Sequence, residues 1–207
     1  MEENQTEIQK KSVKYAGLGT RLYAQILDFI VFSPALVPYA LAVYYHDRTS
    51  YSILPFYTAF HSLSYIAYRF VLHAKFGRTL GKKWAGIRVV SSELRKISWR
   101  KSFLRILPEL LLSIITILKA YYDSRIYLEH LLEMEGLPWA GVDRILRRFN
   151  PVESIAVWDS VVYYSLSVFF VLFTSKKKAI HDMIAGTRVI YEDHKNGPGR
   201  EEVNSAV

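Results

Sequence analysis

Arg21 and Asp28 lie in "GTRLYAQILDFIVF", residues 19 to 32, which opens a long apolar run. A lone carboxylate facing hydrocarbon costs roughly 2.5–3.5 kcal/mol on insertion scales, so Asp28 demands a compensating group. Seven positions place the two side chains within about 20° of one helix face but about 10 Å apart along its axis, too far for a direct ion pair. Each needs a partner from elsewhere. Asp182 follows "KKKAIH" at a depth matching Arg21, and Arg21 with Asp182 is the expected pairing. Asp28 is left to a basic residue of the 75-to-88 loop, to backbone donors or to a proton.

Other ionisable residues fall inside apolar blocks: His61, Arg69, Glu109 and Asp159. Desolvation raises a carboxylate's pKa, and a cation displacing the resulting proton is the simplest exchange chemistry, so Asp28, Glu109, Asp159 and His61 are candidate transport groups. Pro108, directly before Glu109, would free a backbone carbonyl to meet an ion. Each residue also has a plainer use. Asp159 could cap a helix near water, Arg69 could snorkel to phosphates, His61 could be a hydrogen-bonded interior histidine, and Asp28 could belong to a structural ion pair.

These residues must be positioned by membrane-length elements. Among 207 residues, 51% apolar content coexists with 22% charged residues, and the two are segregated. Four apolar blocks, at about 22–45, 51–73, 103–122 and 154–175, are long enough to span a bilayer. The fold class expected is therefore an all-α membrane protein: four transmembrane helices, interfacial amphipathic helices and a small cytoplasmic β-hairpin or sheet. Pro55 punctuates the second block, and "HDRTS" between the first two is short enough to force an antiparallel pair. No glycine occurs from Leu22 to Lys75, so packing there should rely on bulky aromatics rather than small-residue faces.

The basic residues orient the chain. Lys75, Arg78, Lys82, Lys83, Arg88, Arg95, Lys96, Arg100, Lys101 and Arg105 stand against the single acid Glu93, which puts this loop inside. The segments carrying Lys10, Lys11, Lys14 and Arg21, and Lys176, Lys177, Lys178 and Arg188, agree; residues 119 to 153 carry more acids than bases. The expectation is a multi-pass cell-membrane protein with both termini cytoplasmic. Tyr39, Tyr44, Tyr45, Tyr51, Tyr57 and Trp158 would form an outer aromatic belt, and Trp84 and Trp99 an inner one. The net charge of +8 then serves anionic headgroups rather than nucleic acid. Residues 1–18 read as a polar cytoplasmic segment without the pattern of a signal peptide, and 192–207 as a polar, disordered tail. In the outer insert, 123–153, "DSRIYLEHLLEMEG" and "VDRILRRF" predict two short surface helices.

Two cytoplasmic segments echo each other, "LGKKWAGIRVV" (80 to 90) and "IHDMIAGTRVI" (180 to 190). Each reads as a short amphipathic helix, a glycine in a conformation closed to other residues, and a β-strand. The two strands could pair, and "GIRVVSSELRKISW" also reads as a hairpin, giving a sheet of two or three strands. "GRTLGKK" fails as a phosphate loop, having three residues between its glycines and no Ser or Thr after the lysines.

These features carry a resemblance. Arg21, Asp28, the loop "KFGRTLGKKWAGIRVV" and "KKKAIHDMIAGTRVI" are similar to the RDD family of small membrane proteins, named for an arginine and two aspartates; Arg21, Asp28 and Asp182 match by position, over roughly residues 17 to 190. Gly77, Gly81, Lys82, Lys83, Gly86, Arg88, Gly186 and Arg188 carry the cytoplasmic motif. The resemblance implies transport of an ion or small solute, including sodium/proton antiport. Partners would be a monovalent cation, a proton and, because four spans make a small transporter, further copies in a homo-oligomer. The alternative is a non-transporting scaffold, assembly factor or lipid-headgroup-binding protein. Six histidines without metal-ligand spacing, no cysteine and no recognised nucleophile motif argue against an enzyme, a metal or a cofactor.

Overall fold

The computed structural model describes residues 13–45 and 48–192, so the N-terminal lysines 10 and 11, His46, Asp47 and the tail from 193 lie outside the described residues. Among the described residues nine helices and two strands follow in order: α1 Leu18–Phe32, a 3-10 turn Ser33–Leu36, α2 Val37–Tyr45, α3 Arg48–Phe76, α4 Leu80–Trp84, β1 Ile87–Ser91, α5 Trp99–Glu129, α6 Leu131–Met134, α7 Trp139–Phe149, α8 Glu153–Phe173, α9 Ile180–Ile184 and β2 Thr187–Tyr191.

The first apolar block is broken. Pro34 and Pro38 lack the amides a continuous helix needs, and the chain tightens into the 3-10 turn between α1 and α2. Pro55 and Pro108, by contrast, sit inside unbroken helices of 29 and 31 residues. α5 also runs past the expected end of its span, to Glu129, taking up most of the first stripe of the insert. Only α6 and α7 stand apart from it.

α3 and α5 form the spine, antiparallel along their length: Tyr51 stacks on Tyr127 with ring centroids 3.8 Å apart at one end, and the Ser102 hydroxyl donates to the Phe70 carbonyl at 2.8 Å at the other. Tyr51, expected in an outer aromatic belt, is buried by this stack, whereas Tyr44, Tyr45 and Trp158 are exposed.

The sheet is two-stranded. β1 pairs with β2 antiparallel, Val89 opposite Val189, and Tyr15 adds a bridge to Ile190, bringing both described ends of the chain to one end of the bundle. The hairpin read in residues 86–99 does not form. After β1 the chain turns through Leu94, at φ +64°, and Ser98 caps α5 by accepting the Lys101 amide. The echo determines the pairing instead: Gly86 and Gly186 both take left-handed φ, +65° and +61°, at the ends of α4 and α9, and launch the two strands.

Packing is inverted relative to a water-soluble bundle. Arg105 is 1% exposed, Asp28 2% and Asp182 0%, while Phe56 is 76% exposed and Phe173 73%, with many other large apolar side chains facing outward. Among the described residues one helix, α8, is long and apolar enough to cross a membrane by length and composition. α3 and α5 have the length, but both carry ionic residues along it.

Candidate functional site

Asp28 is met by three donors, none of them a base. Tyr68 donates its hydroxyl to Oδ1 at 2.8 Å, the Gly81 amide donates to Oδ1 at 2.8 Å, and Thr79 Oγ1 donates to Oδ2 at 2.6 Å. Tyr68 in turn accepts the Leu80 amide at 2.9 Å, and Thr79 Oγ1 accepts the Lys82 amide at 3.4 Å. The first amides of α4, orphaned as at every helix start, are thus satisfied partly by a carboxylate from α1. Asp28 acts as a helix cap supplied from another segment, and the closeness required is what fixes Gly81: a Cβ there would lie 2.1 Å from the Ala24 carbonyl oxygen.

Asp182 carries a second cluster. Arg21 Nη1 donates to its Oδ2 at 2.6 Å, the pairing expected from the sequence, and the Ala179 amide donates to the same oxygen at 3.1 Å. Arg105 Nη1 pairs with Oδ1, which also accepts Thr187 Oγ1 at 3.2 Å. Arg21 is held further by the carbonyls of Ala16 at 3.1 Å and Lys177 at 2.6 Å. The cluster ties α1, α5, α9 and β2 together. Although burial alone would protonate Asp182, the two guanidiniums and His181 hold its carboxyl far below the usual carboxylate range.

Glu109 is paired with Arg69 across α5 and α3. Between these clusters lies a cavity of about 330 Å³, lined by Arg21, Asp28, Arg69, Lys82, Arg105 and Glu109 together with apolar and tyrosine side chains of α1, α3 and α8. His181 also borders it and shares a hydrogen bond between Nδ1 and the Tyr163 hydroxyl at 3.0 Å; burial pushes its pKa well below the usual value. Lys82, half-buried, makes no ion pair among the described residues. Burial pushes its ammonium down to about 7, with Arg69 and Arg105 adding to the shift and Asp28 and Glu109 opposing it.

The remaining candidates disperse. His61 and Asp159 lie outside the cavity, on α3 and α8, and Asp159 Oδ1 accepts the Ser160 amide while Oδ2 is buried without a partner among the described residues. Of the cytoplasmic motif, Gly77 at φ +68° lets its carbonyl accept the Val89 amide at 2.7 Å, Lys83 and Arg88 are exposed, and Arg188 reaches the Tyr15 hydroxyl at 3.2 Å. At the opposite end of the bundle Lys119 bridges Asp123 at 2.7 Å and Glu153 at 2.9 Å, and Asn150 Nδ2 donates to Asp123 Oδ1 at 2.7 Å.

Sequence reasoning missed Arg105, counted only as a loop charge, and the capping residues Tyr68 and Thr79. Arg105 stands four residues before Glu109 on α5, a spacing that faces both the same way and could have flagged it. His73, fully buried with neither ring nitrogen hydrogen-bonded among the described residues, had no sequence signal.

No curated protein matches this chain. The family model described as RDD family matches residues 15–186, a stretch that contains Arg21, Asp28, Asp182 and every residue lining the cavity except Val189.

Proposed function

The chain belongs to the RDD family, and on that footing we propose that this membrane protein is a four-span transporter of a small ion or solute, coupled to protons, with both termini cytoplasmic. The supporting observation is the cavity, whose ionic groups are enclosed by a bundle that turns its apolar side chains outward. Ionic groups inside a membrane segment are rare and mark substrate or proton pathways. The spans are α1 with α2, α3, the greater part of α5, and α8; α4, α9 and the sheet lie at the cytoplasmic face, where Lys83 and Arg88 meet anionic headgroups. A homo-oligomer would supply the rest of a pathway too large for four spans.

In the sodium/proton antiport version the carboxylate that exchanges is Glu109. Asp28 and Asp182 each accept several fixed donors, whereas among the described residues Glu109 has Arg69 alone as its charged partner, and a cation would enter by displacing that guanidinium.

A second reading, a non-transporting scaffold or headgroup-binding protein without enzymatic activity, is favoured by the saturation of Asp28 and Asp182, which serves architecture without any moving ion.

Liposomes containing the purified protein and a pH-sensitive dye separate the two. Pulses of sodium, potassium or lithium salts of chloride and of small organic acids should move protons, and Glu109→Gln should change the response. Absence of ion-dependent proton movement beyond that of protein-free liposomes, which organic acids cross in neutral form, would leave the scaffold reading.

A further inference from the structure

The charges around the cavity do not cancel. Arg21, Arg69, Lys82 and Arg105 supply four cations; Asp28 and Glu109 line the cavity with them, and Asp182, bonded to Arg21 and Arg105, is the third carboxylate. Three of the cations have a carboxylate within ion-pair distance and Lys82 has none among the described residues. An unmatched buried charge is costly, and a low-dielectric site resolves it by losing the proton or by gaining a counter-ion.

Donors left over point the same way. Arg105 Nε and Ser167 Oγ are buried without hydrogen-bond partners among the described residues, and both residues line the cavity. Buried polar atoms of this kind are normally satisfied, so two bordering one cavity, from α5 and α8, mark a place for an acceptor. Leu22, Val168 and Val171 add apolar surface to the cavity lining. The volume, about 330 Å³, lies at the lower end for organic ligands and well above the needs of a bare ion.

We infer that the cavity binds a small monocarboxylate, its two oxygens accepting from Lys82, Arg105 and Ser167 and its apolar body lying against α1 and α8. This names the substrate class of the transport reading and rests on that reading for its role, though not for the binding itself. A cation would add to the positive excess; a monoanion cancels it. The lysine links binding to protons. Burial, Arg69 of α3 and Arg105 of α5 drive its proton off, Asp28 of α1 and Glu109 of α5 hold it on, and a carboxylate beside it draws a proton from solvent onto Nζ. Anion and proton then enter the site together.

The test is equilibrium binding, with thermal unfolding of the full chain in uncharged detergent followed at fixed sodium concentration. Sodium butyrate should raise the midpoint saturably, sodium chloride and butylammonium chloride should not, and the butyrate affinity should weaken as pH rises from 6 to 9. Lys82→Met and Ser167→Val, on different elements, should each abolish the shift; since Lys82 makes no ion pair, its replacement should fold. Dihexanoyl phosphatidate separates a soluble carboxylate from a lipid headgroup. A Lys82-dependent shift with phosphatidate and none with butyrate overturns the inference, as does any butyrate shift that survives both substitutions. Butyrate binding without butyrate flux above that of protein-free liposomes would sink the transport reading and leave the site standing.

Discussion

Gly81 and Asp28 are in direct contact across two elements: the glycine amide donates to the carboxylate at 2.8 Å, and an added Cβ would lie 2.8 Å from the Asp28 Cγ. Gly81→Ala should therefore pull α4 off α1, because the obstruction includes backbone atoms that no rotamer can relieve. Gly19→Ala, where nothing lies within 4 Å, should be neutral or stabilising by up to about 1 kcal/mol. Intrinsic tryptophan fluorescence during thermal unfolding in detergent would read both; equal midpoints would show that the contact does not matter.

Asp28→Asn should destabilise by roughly 1–3 kcal/mol, since an amide offers one acceptor oxygen where three donors converge. Thr79→Val and Tyr68→Phe each remove one of those donors and should cost less. Combined with Asp28→Asn, neither should cost its full single-mutant amount. Strict additivity in that cycle would mean that the bonds act independently of the carboxylate.

Arg21 and Asp182 invite a charge swap, and the swap should fail. Arg105 also binds Asp182, so Asp182→Arg sets two guanidiniums together whatever stands at 21. Arg21→Asp with Asp182→Arg should fold no better than either single change. Asp182→Asn alone should lose roughly 3–5 kcal/mol by leaving two buried cations short of a counter-charge. Rescue by the double substitution would remove Arg105 from the cluster.

The pH dependence has two parts of opposite sign. Asp182, whose folded pKa lies below its unfolded value, stabilises the protein above the ordinary carboxylate range, and this is lost only as pH falls through strongly acid values. Lys82, lowered from 10.5 to about 7, binds fewer protons folded than unfolded between those values, so stability should rise with pH across that window. Lys82→Met should flatten the rise and stabilise the protein at neutral pH. A wild-type midpoint independent of pH from 7 to 10 would contradict the burial of that ammonium.

Asn150→Ala should loosen the end of the bundle opposite the sheet, removing the donor to Asp123 that ties the α7–α8 turn to α5. Faster proteolysis between Glu135 and Pro138, with the midpoint for global unfolding lowered by about 1–2 kcal/mol in equivalent stability, is the expected pattern. Unchanged proteolysis would place the restraint elsewhere.

The sequence by itself determined which stretches are helical, the two glycines that launch the strands and the meeting of Arg21 with Asp182; it left the partner of the first strand open between the echoed segment and a hairpin. Helical spacing, left-handed glycines and depth along the chain are local properties, and they leave few choices. Tertiary structure decided the rest. That α5 would run on through Glu129, that Asp28 would be satisfied by a helix start rather than a base, that Asp182 would be shared by two arginines and that Lys82 would be left over are outcomes of packing. The physical reason is that a buried charge takes whichever donors the fold brings within about 3 Å. The donors to Asp28 and the two arginines on Asp182 come from residues 40 to 161 positions away, which local pattern places on a face but cannot place against one another.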